Sequence, residues 1–176
     1  AGALLDTGIR VSGGVCVSPA RTFYYGTYGF ITWSAPGAPL DISTINGGGG
    51  PGGQRVALTK IVKGLPVRGG TTNSPAALFW SLDAVVRASF IPDSAAIFRF
   101  DTITAKSTVL SSSGIIEYDG KFFWAGTDRF YVYTGVVQEL PNAMNLNWFY
   151  DNLSSANRQK VWAAILPHFG DTWWHF

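Results

Sequence analysis

One short pattern recurs along this chain and restricts what it can fold into. Phe23-Tyr24-Tyr25 runs into "GTYG" and then "FITWS"; Leu78-Phe79-Trp80 runs into "SLDA" and then "VVRASF". Phe122-Phe123-Trp124 runs into "AGTD" and then "RFYVY", and Thr172-Trp173-Trp174 begins a fourth copy. An apolar triplet, a four-residue link and a second apolar segment make an aromatic hairpin. A hairpin recurring every 45–55 residues or so marks a repeat architecture. Seven Trp, seven Tyr and twelve Phe among 176 residues, with 21 Gly, favour strands and turns over helices.

Each triplet has apolar sequence upstream: "GGVCVSPART", "GIIEYDGK" and "KVWAAILPHFGD" before the first, third and fourth. Upstream of the second, "GGTTNSPAA" reads as turn more than strand. Asp119-Gly120 is a two-residue hairpin signal, because glycine tolerates positive φ. Pro19 and Pro167 suit strand ends, where a missing N–H costs least. After a turn at Thr134-Gly135, "TGVVQELP" supplies the third copy with a fourth strand. The unit is therefore about four antiparallel strands, the size of a β-propeller blade. The expected fold is all-β and β-propeller-like, a single domain over 1–176. Its approximate repeats are 11–58, 59–109, 110–150 and a truncated 151–176. Alternation would put Phe130 and Val132 on one face of a strand and Tyr131 and Tyr133 on the other, as suits a sheet covered on both sides. "AALFWSLDAVVRASF" also fits one amphipathic helix by its spacing, but its alignment with the other copies argues for a hairpin. One short connecting helix is expected within "YDNLSSANRQKVW", capped by Asn152 or Ser154, with Phe149 and Leu153 sharing a face.

Two segments read as loops. "STINGGGGPGGQRV" is too glycine-rich to be ordered by its own contacts; its run at 47–53 reads as a surface excursion, mobile unless a neighbour holds it. "KIVKGLPVRGG" carries Lys60, Lys63 and Arg68 around Gly64 and Pro66 and is the most basic stretch. These three cations are the candidate phosphate or partner contacts, although cations at turns are usually simply solvated. Any contact with DNA through them would be sequence-blind and salt-sensitive.

Other chemistry is thinly signalled. The formal net charge is +2 and the cations form no run, so there is no footprint for strong nucleic-acid binding. The single Cys16 allows no disulfide within the chain and no zinc spacing; it reads as a small residue in a strand. No apolar run reaches the roughly 18 residues of a membrane helix. His168 and His175 both lie in the last nine residues, and His168 in "LPHFGD" reads as a turn residue. Glu117 and Glu139 fall on expected strands, but no spacing selects two carboxylates facing across a cleft. "YDGKFFW" is only superficially like the Ser/Asp/Gly/Trp turn of sialidase propellers, since its Asp and Gly adjoin and the Ser is missing. "GGGGPGGQR" lacks the ending of a phosphate loop. Asp128 and Arg129 read as partners in their turn. No enzyme activity, catalytic residue, metal or cofactor is expected.

From about Lys60 to Phe176 the sequence resembles large virion structural proteins of tailed bacteriophages, the propeller-bearing proteins of the tail or neck. The most specific pieces are "SSSGIIEYDGKFFWAGTDRF" and "DNLSSANRQKVWA"; "GGVCVSPARTFYYGTYGFI" resembles them weakly. The glycine-rich insertion at 47–53 departs from the pattern. Members of that family look longer, and the chain, which starts at Ala1 and stops on "DTWWHF", is expected to be a piece of a longer protein. The resemblance implies a structural protein of the virion that packs against tail, adaptor or portal subunits and forms a homo-oligomeric ring. The rival reading is a carbohydrate-binding or glycan-cleaving propeller at a cell surface, with Tyr28, Trp33 and Tyr133 stacking on sugars. A concave site lined by an exposed aromatic and two facing carboxylates would favour the rival.

Overall fold

The computed structural model describes residues 10–17, 21–42, 51–68, 75–91, 97–105, 109–141 and 146–176. The strands are β1 (Val11–Val17), β2 (Arg21–Gly26), β3 (Phe30–Trp33) and β4 (Gly52–Arg55), then β5 (Ile61–Pro66), β6 (Pro75–Ser81), β7 (Val85–Phe90) and β8 (Phe98–Thr104). They continue with β9 (Ile115–Tyr118), β10 (Lys121–Ala125), β11 (Phe130–Tyr133) and β12 (Val137–Glu139). The helix α1 (Leu146–Asn152) precedes β13 (Trp162–Leu166) and β14 (Asp171–His175). Three sheets have four strands each, in the orders β1-β2-β3-β4, β5-β6-β7-β8 and β9-β10-β11-β12; β13 and β14 form a two-stranded sheet. All pairings within them are antiparallel. Within each sheet, chain neighbours are thus ladder neighbours, and the fold is all-β and propeller-like, built of consecutive blade-like sheets with one short helix. "AALFWSLDAVVRASF" is a hairpin, β6 and β7 joined by a turn at 81–84.

Tertiary contacts divide the chain into two compact units, Ala1–Lys106 and Ser107–Phe176. In the first, β1 lies beside β5 and the first two sheets pack face to face. Phe23 and Tyr25 on β2 meet Phe79 on β6, with ring centroids 5.4 and 5.8 Å apart, and Phe23 also meets Phe98 at 4.7 Å. These are edge-on or tilted contacts, the arrangement aromatic quadrupoles prefer. Each such side chain, moved out of water, contributes about 1.5–3 kcal/mol. In the second unit, Leu110, Ala125, Phe130, Phe149 and Val161 form a core cluster, with Trp174 against them. Phe130, Tyr131, Val132 and Tyr133 are all buried, so β11 is covered on both faces.

The Asp119-Gly120 turn has positive φ at both residues, +52° and +70°, as a two-residue hairpin loop of this kind requires. Elsewhere the structure corrects the sequence reading. "IVKGLP" is no loop: it is β5, the upstream strand missing from the second copy. Gly64 is what disguised it, and packing explains the residue. A Cβ there would lie 2.8 Å from the Tyr25 ring and 2.9 Å from Phe79. Likewise Gly52 and Gly53, read as part of a loop, belong to β4, where the Trp33 and Phe30 rings of β3 occupy the space a side chain would need. The rest of that glycine run, 47–50, lies outside the described residues, as do Pro19 and the "GGTTNS" before β6. Cys16 is in β1, its side chain outside the described part.

The third repeat is displaced by one residue from the triplet alignment. Its closing pair is Ala125↔Phe130, with the turn at 126–129, whereas the second repeat closes on Trp80↔Val85 with the turn at 81–84. The same hydrogen bond spans both turns, Gly126 N–H to Arg129 O at 2.7 Å and Ser81 N–H to Ala84 O at 2.8 Å. Trp124 therefore occupies the place of Phe79, not that of Trp80. The helix is also displaced. It ends at Asn152, which closes its last turn by donating from its side chain to the Trp148 carbonyl at 2.8 Å and so is no N-cap. Ser154 begins a turn instead, accepting the Asn157 N–H at its carbonyl. The apolar stripe Leu146, Phe149, Tyr150 and Leu153 packs on the second core with helical spacing.

Candidate functional site

The Lys60, Lys63 and Arg68 cations are distributed along β5 rather than gathered by a loop. Lys60 precedes the strand, Lys63 lies within it opposite Trp80, and Arg68 follows it. A six-residue strand spans roughly 20 Å, which holds Lys60 and Arg68 well apart. Lys60 and Arg68 are exposed and Lys63 is half-buried. The structure does not bring the three to one point.

A cleft of about 430 Å³ opens at one end of the first unit, lined by Arg55, Leu58, Asp83, Thr102 and neighbouring small residues. Arg55 folds over its own loop, its guanidinium donating to the Ala57 and Leu58 carbonyls at 3.2 and 3.3 Å. Asp83 is the cleft's one carboxylate, and no aromatic lines it. Burial alone would raise the Asp83 carboxyl. Hydrogen bonds from the Thr59 and Ser81 hydroxyls and from the Thr59 and Leu58 backbone outweigh this and hold it below the usual value. The Thr59 hydroxyl also accepts the Leu82 N–H at 3.2 Å. Asp83 thus clasps the β4–β5 connection to the β6–β7 turn. Its accepted bonds give it a structural role, and the cleft lacks the facing pair of carboxylates a glycosidase uses.

Of the aromatics proposed to meet sugars, only Tyr28 is exposed. Trp33 packs against Phe23, Phe98 and Phe100, and Tyr133 stands opposite Phe122, so both are buried. Glu139 is exposed and holds Arg129 at 2.5 Å; Arg129 also lies 3.4 Å from Asp128. These contacts, led by Glu139, push the Arg129 guanidinium further up. His168 lies in the exposed β13–β14 turn.

The second unit exposes aromatics that the sequence reading missed. In the β13–β14 hairpin the pairs Ala163↔Trp174 and Ile165↔Thr172 share one face. That face is turned to the core: Trp174 meets Phe130 at 5.0 Å and its indole N–H donates to the Gly114 carbonyl at 3.3 Å. The pairs Trp162↔His175, Ala164↔Trp173 and Leu166↔Asp171 share the other face. There Trp162 stacks on His175 at 4.0 Å, interplanar angle 11°, and Trp173 lies 6.3 Å from His175. Beside the helix, Trp148 and Phe176 meet at 5.8 Å. Period-2 alternation in "WAAIL" and "DTWWH" was the available signal; what it could not give was which of the two faces the core would cover.

Among the described residues, no group of three or more His, Cys, Asp or Glu is placed to hold a metal, and no helix is long and apolar enough to cross a membrane. A scan against protein-family models finds no match for the chain, and no curated protein matches it.

Proposed function

We propose that this protein is a structural component of a bacteriophage virion, placed in the tail or neck, that acts by assembling with other virion proteins and with copies of itself. The observation that carries this reading is the aromatic surface of the second unit. Within residues 148–176, Trp148, Trp162, Phe169, Trp173 and Phe176 are 61, 46, 72, 52 and 54% exposed. Large aromatic rings, here two on strands (Trp162, Trp173), one on the helix (Trp148) and two beside them (Phe169, Phe176), are typical of surfaces that bind other proteins, because they bury much area at little entropic cost. Blade-like sheets suit assembly, since their cores fix the scaffold while loops and edges meet partners. The resemblance of "SSSGIIEYDGKFFWAGTDRF" and "DNLSSANRQKVWA" to tail and neck proteins supplies the viral setting. Adaptor, portal or other tail subunits would be the partners. DNA contact through Lys60, Lys63 and Arg68 would be at most weak and non-specific, given their spread along β5.

The test is to purify phage particles that encode the chain, digest them for mass spectrometry, and image them with antibody-gold against residues 148–176. The reading expects the chain at fixed stoichiometry with label on tail or neck. Its absence from intact particles, or release of reducing sugar from a glycan panel by the pure chain, would overturn the reading.

A further inference from the structure

We propose that one end of the first unit is a docking site for an acidic, extended segment of a partner protein that carries a leucine-sized side chain. This goes beyond the virion reading and does not depend on it. Three connections meet at that end: the β2–β3 turn, the β4–β5 connection and the β6–β7 turn. The Gly29 carbonyl accepts the Val56 and Ala57 N–H groups at 2.8 and 3.4 Å, and the Thr59 hydroxyl accepts the Leu82 N–H. Each connection exposes one large apolar side chain, Tyr28, Leu58 and Leu82 in turn. The cleft of about 430 Å³ opens among these connections, with Val56, Ala57, Ala84 and Ala105 in its wall. That volume lies within the range of about 300–1,000 Å³ usual for ligand sites, and a wall of small apolar residues suits a branched aliphatic side chain.

The charges at this end select the partner. Arg55 lines the cleft, Arg10 is bonded through its backbone to Thr27, and Lys60 follows Thr59. All three cations are exposed. Arg55 commits two of its five guanidinium N–H groups to the Ala57 and Leu58 carbonyls, which fixes its place and leaves the others to meet a carboxylate. Asp83 is the one carboxylate in these connections, and Thr59 and Ser81 already hold it. A cationic rim around an apolar wall matches acidic side chains on either side of an apolar one. A second copy would set the same cations against each other, and a nucleic acid would make no use of the exposed leucines. Tyr28 adds an independent sign. Its φ of +58° holds an aromatic residue in the left-handed region, at a cost that the turn alone does not explain.

Amide chemical shifts of the full chain, titrated with the end-blocked peptide Glu-Glu-Leu-Glu-Glu, read the site directly. Saturable shifts should concentrate at Tyr28, at residues 55–60 and at residues 82–84. The peptide Lys-Lys-Leu-Lys-Lys should not bind, and Glu-Glu-Ser-Glu-Glu should bind about tenfold more weakly for want of the buried leucine. Lys60→Glu reverses one cation and should weaken binding by about threefold to tenfold. Lys121→Glu, on β10 of the second unit, should leave it unchanged. Tyr28→Gly keeps the test decisive should Lys60→Glu disturb its loop. Glycine takes a positive φ without strain, so this variant should melt no lower than the parent while binding the peptide more weakly. No shift at about 1 mM peptide, equal binding of the lysine peptide, preference for an oligothymidylate, or shifts confined to residues 148–176 would overturn the site. Self-association of the chain that the acidic peptide competes away would assign this end to a second copy and overturn it equally.

Discussion

Trp124 and Tyr131 face each other across β10 and β11, their rings stacked 5.5 Å apart at an interplanar angle of 19°. Trp124 is fully buried and Tyr131 nearly so. Trp124→Ala should lower stability by about 3–5 kcal/mol through lost burial and the cavity left behind. Trp124→Ala combined with Tyr131→Ala should cost less than the sum of the singles by about 0.5–1.5 kcal/mol, the coupling expected of a stacked pair. Urea unfolding of the four proteins of the cycle measures both. Additivity within error would mean that the stack contributes only its buried area.

Gly64 should tolerate no side chain. Its φ is not in the left-handed region, so the constraint is contact with the Tyr25 and Phe79 rings rather than backbone strain. Gly64→Ala should destabilise by about 1–3 kcal/mol, the usual cost of overpacking. Gly64→Ala combined with Phe79→Leu, which opens room beside it, should cost less than the two singles together. A melting temperature unchanged in Gly64→Ala would show that the two sheets of the first unit can separate slightly without penalty.

These cases show what was legible in the sequence. The hairpins were readable because strand periodicity and turn chemistry are local: Asp119-Gly120 encodes its positive φ, and "FYVY" reads as covered on both faces. β4 and β5 were not, because Gly52, Gly53 and Gly64 are chosen by rings on other strands, and propensity sees only a broken strand. The turn after Trp124 was misplaced by one residue because triplets were aligned by their aromatics, whereas Ala125 closes the ladder. The helix was displaced for a related reason. Asn152 can begin or end a helix, and only the packing of Leu146 and Phe149 on the core decides between these. Nor could exposure of Trp162 and Trp173 be told from burial of Trp33, since both kinds of tryptophan sit in the same alternating pattern.

Asp83 should make the first unit acid-sensitive. Its carboxyl is held below the ordinary value in the folded state, so its contribution to stability is complete above about pH 4. That contribution is lost as pH falls through the folded-state value. Asp83→Asn, which cannot accept from Thr59 and Ser81 as a charged group, should cost about 1–2 kcal/mol at pH 7 and remove this part of the acid slope. Denaturant midpoints for both proteins between pH 7 and pH 3 check it; parallel curves would mean that the clasp does not depend on charge.

Tyr150 should give the opposite sign at high pH. Burial, with smaller contributions from Asp128 and Tyr131, pushes its phenol well above the ordinary tyrosine value. Its hydroxyl donates to the Gly126 carbonyl at 3.1 Å, so the protonated form is the one the fold accepts. The unfolded chain loses this proton near pH 10 while the folded one keeps it. The stabilisation is therefore complete below about pH 10 and declines as pH rises beyond. Tyr25 and Tyr131, both also raised chiefly by burial, add to the same decline. Tyr150→Phe removes its own share: it should cost about 1 kcal/mol at neutral pH for the lost hydrogen bond and give a shallower fall above pH 10. Denaturant midpoints followed alongside the tyrosinate absorbance at high pH read this out. A fall equally steep in Tyr150→Phe would place the alkaline sensitivity elsewhere.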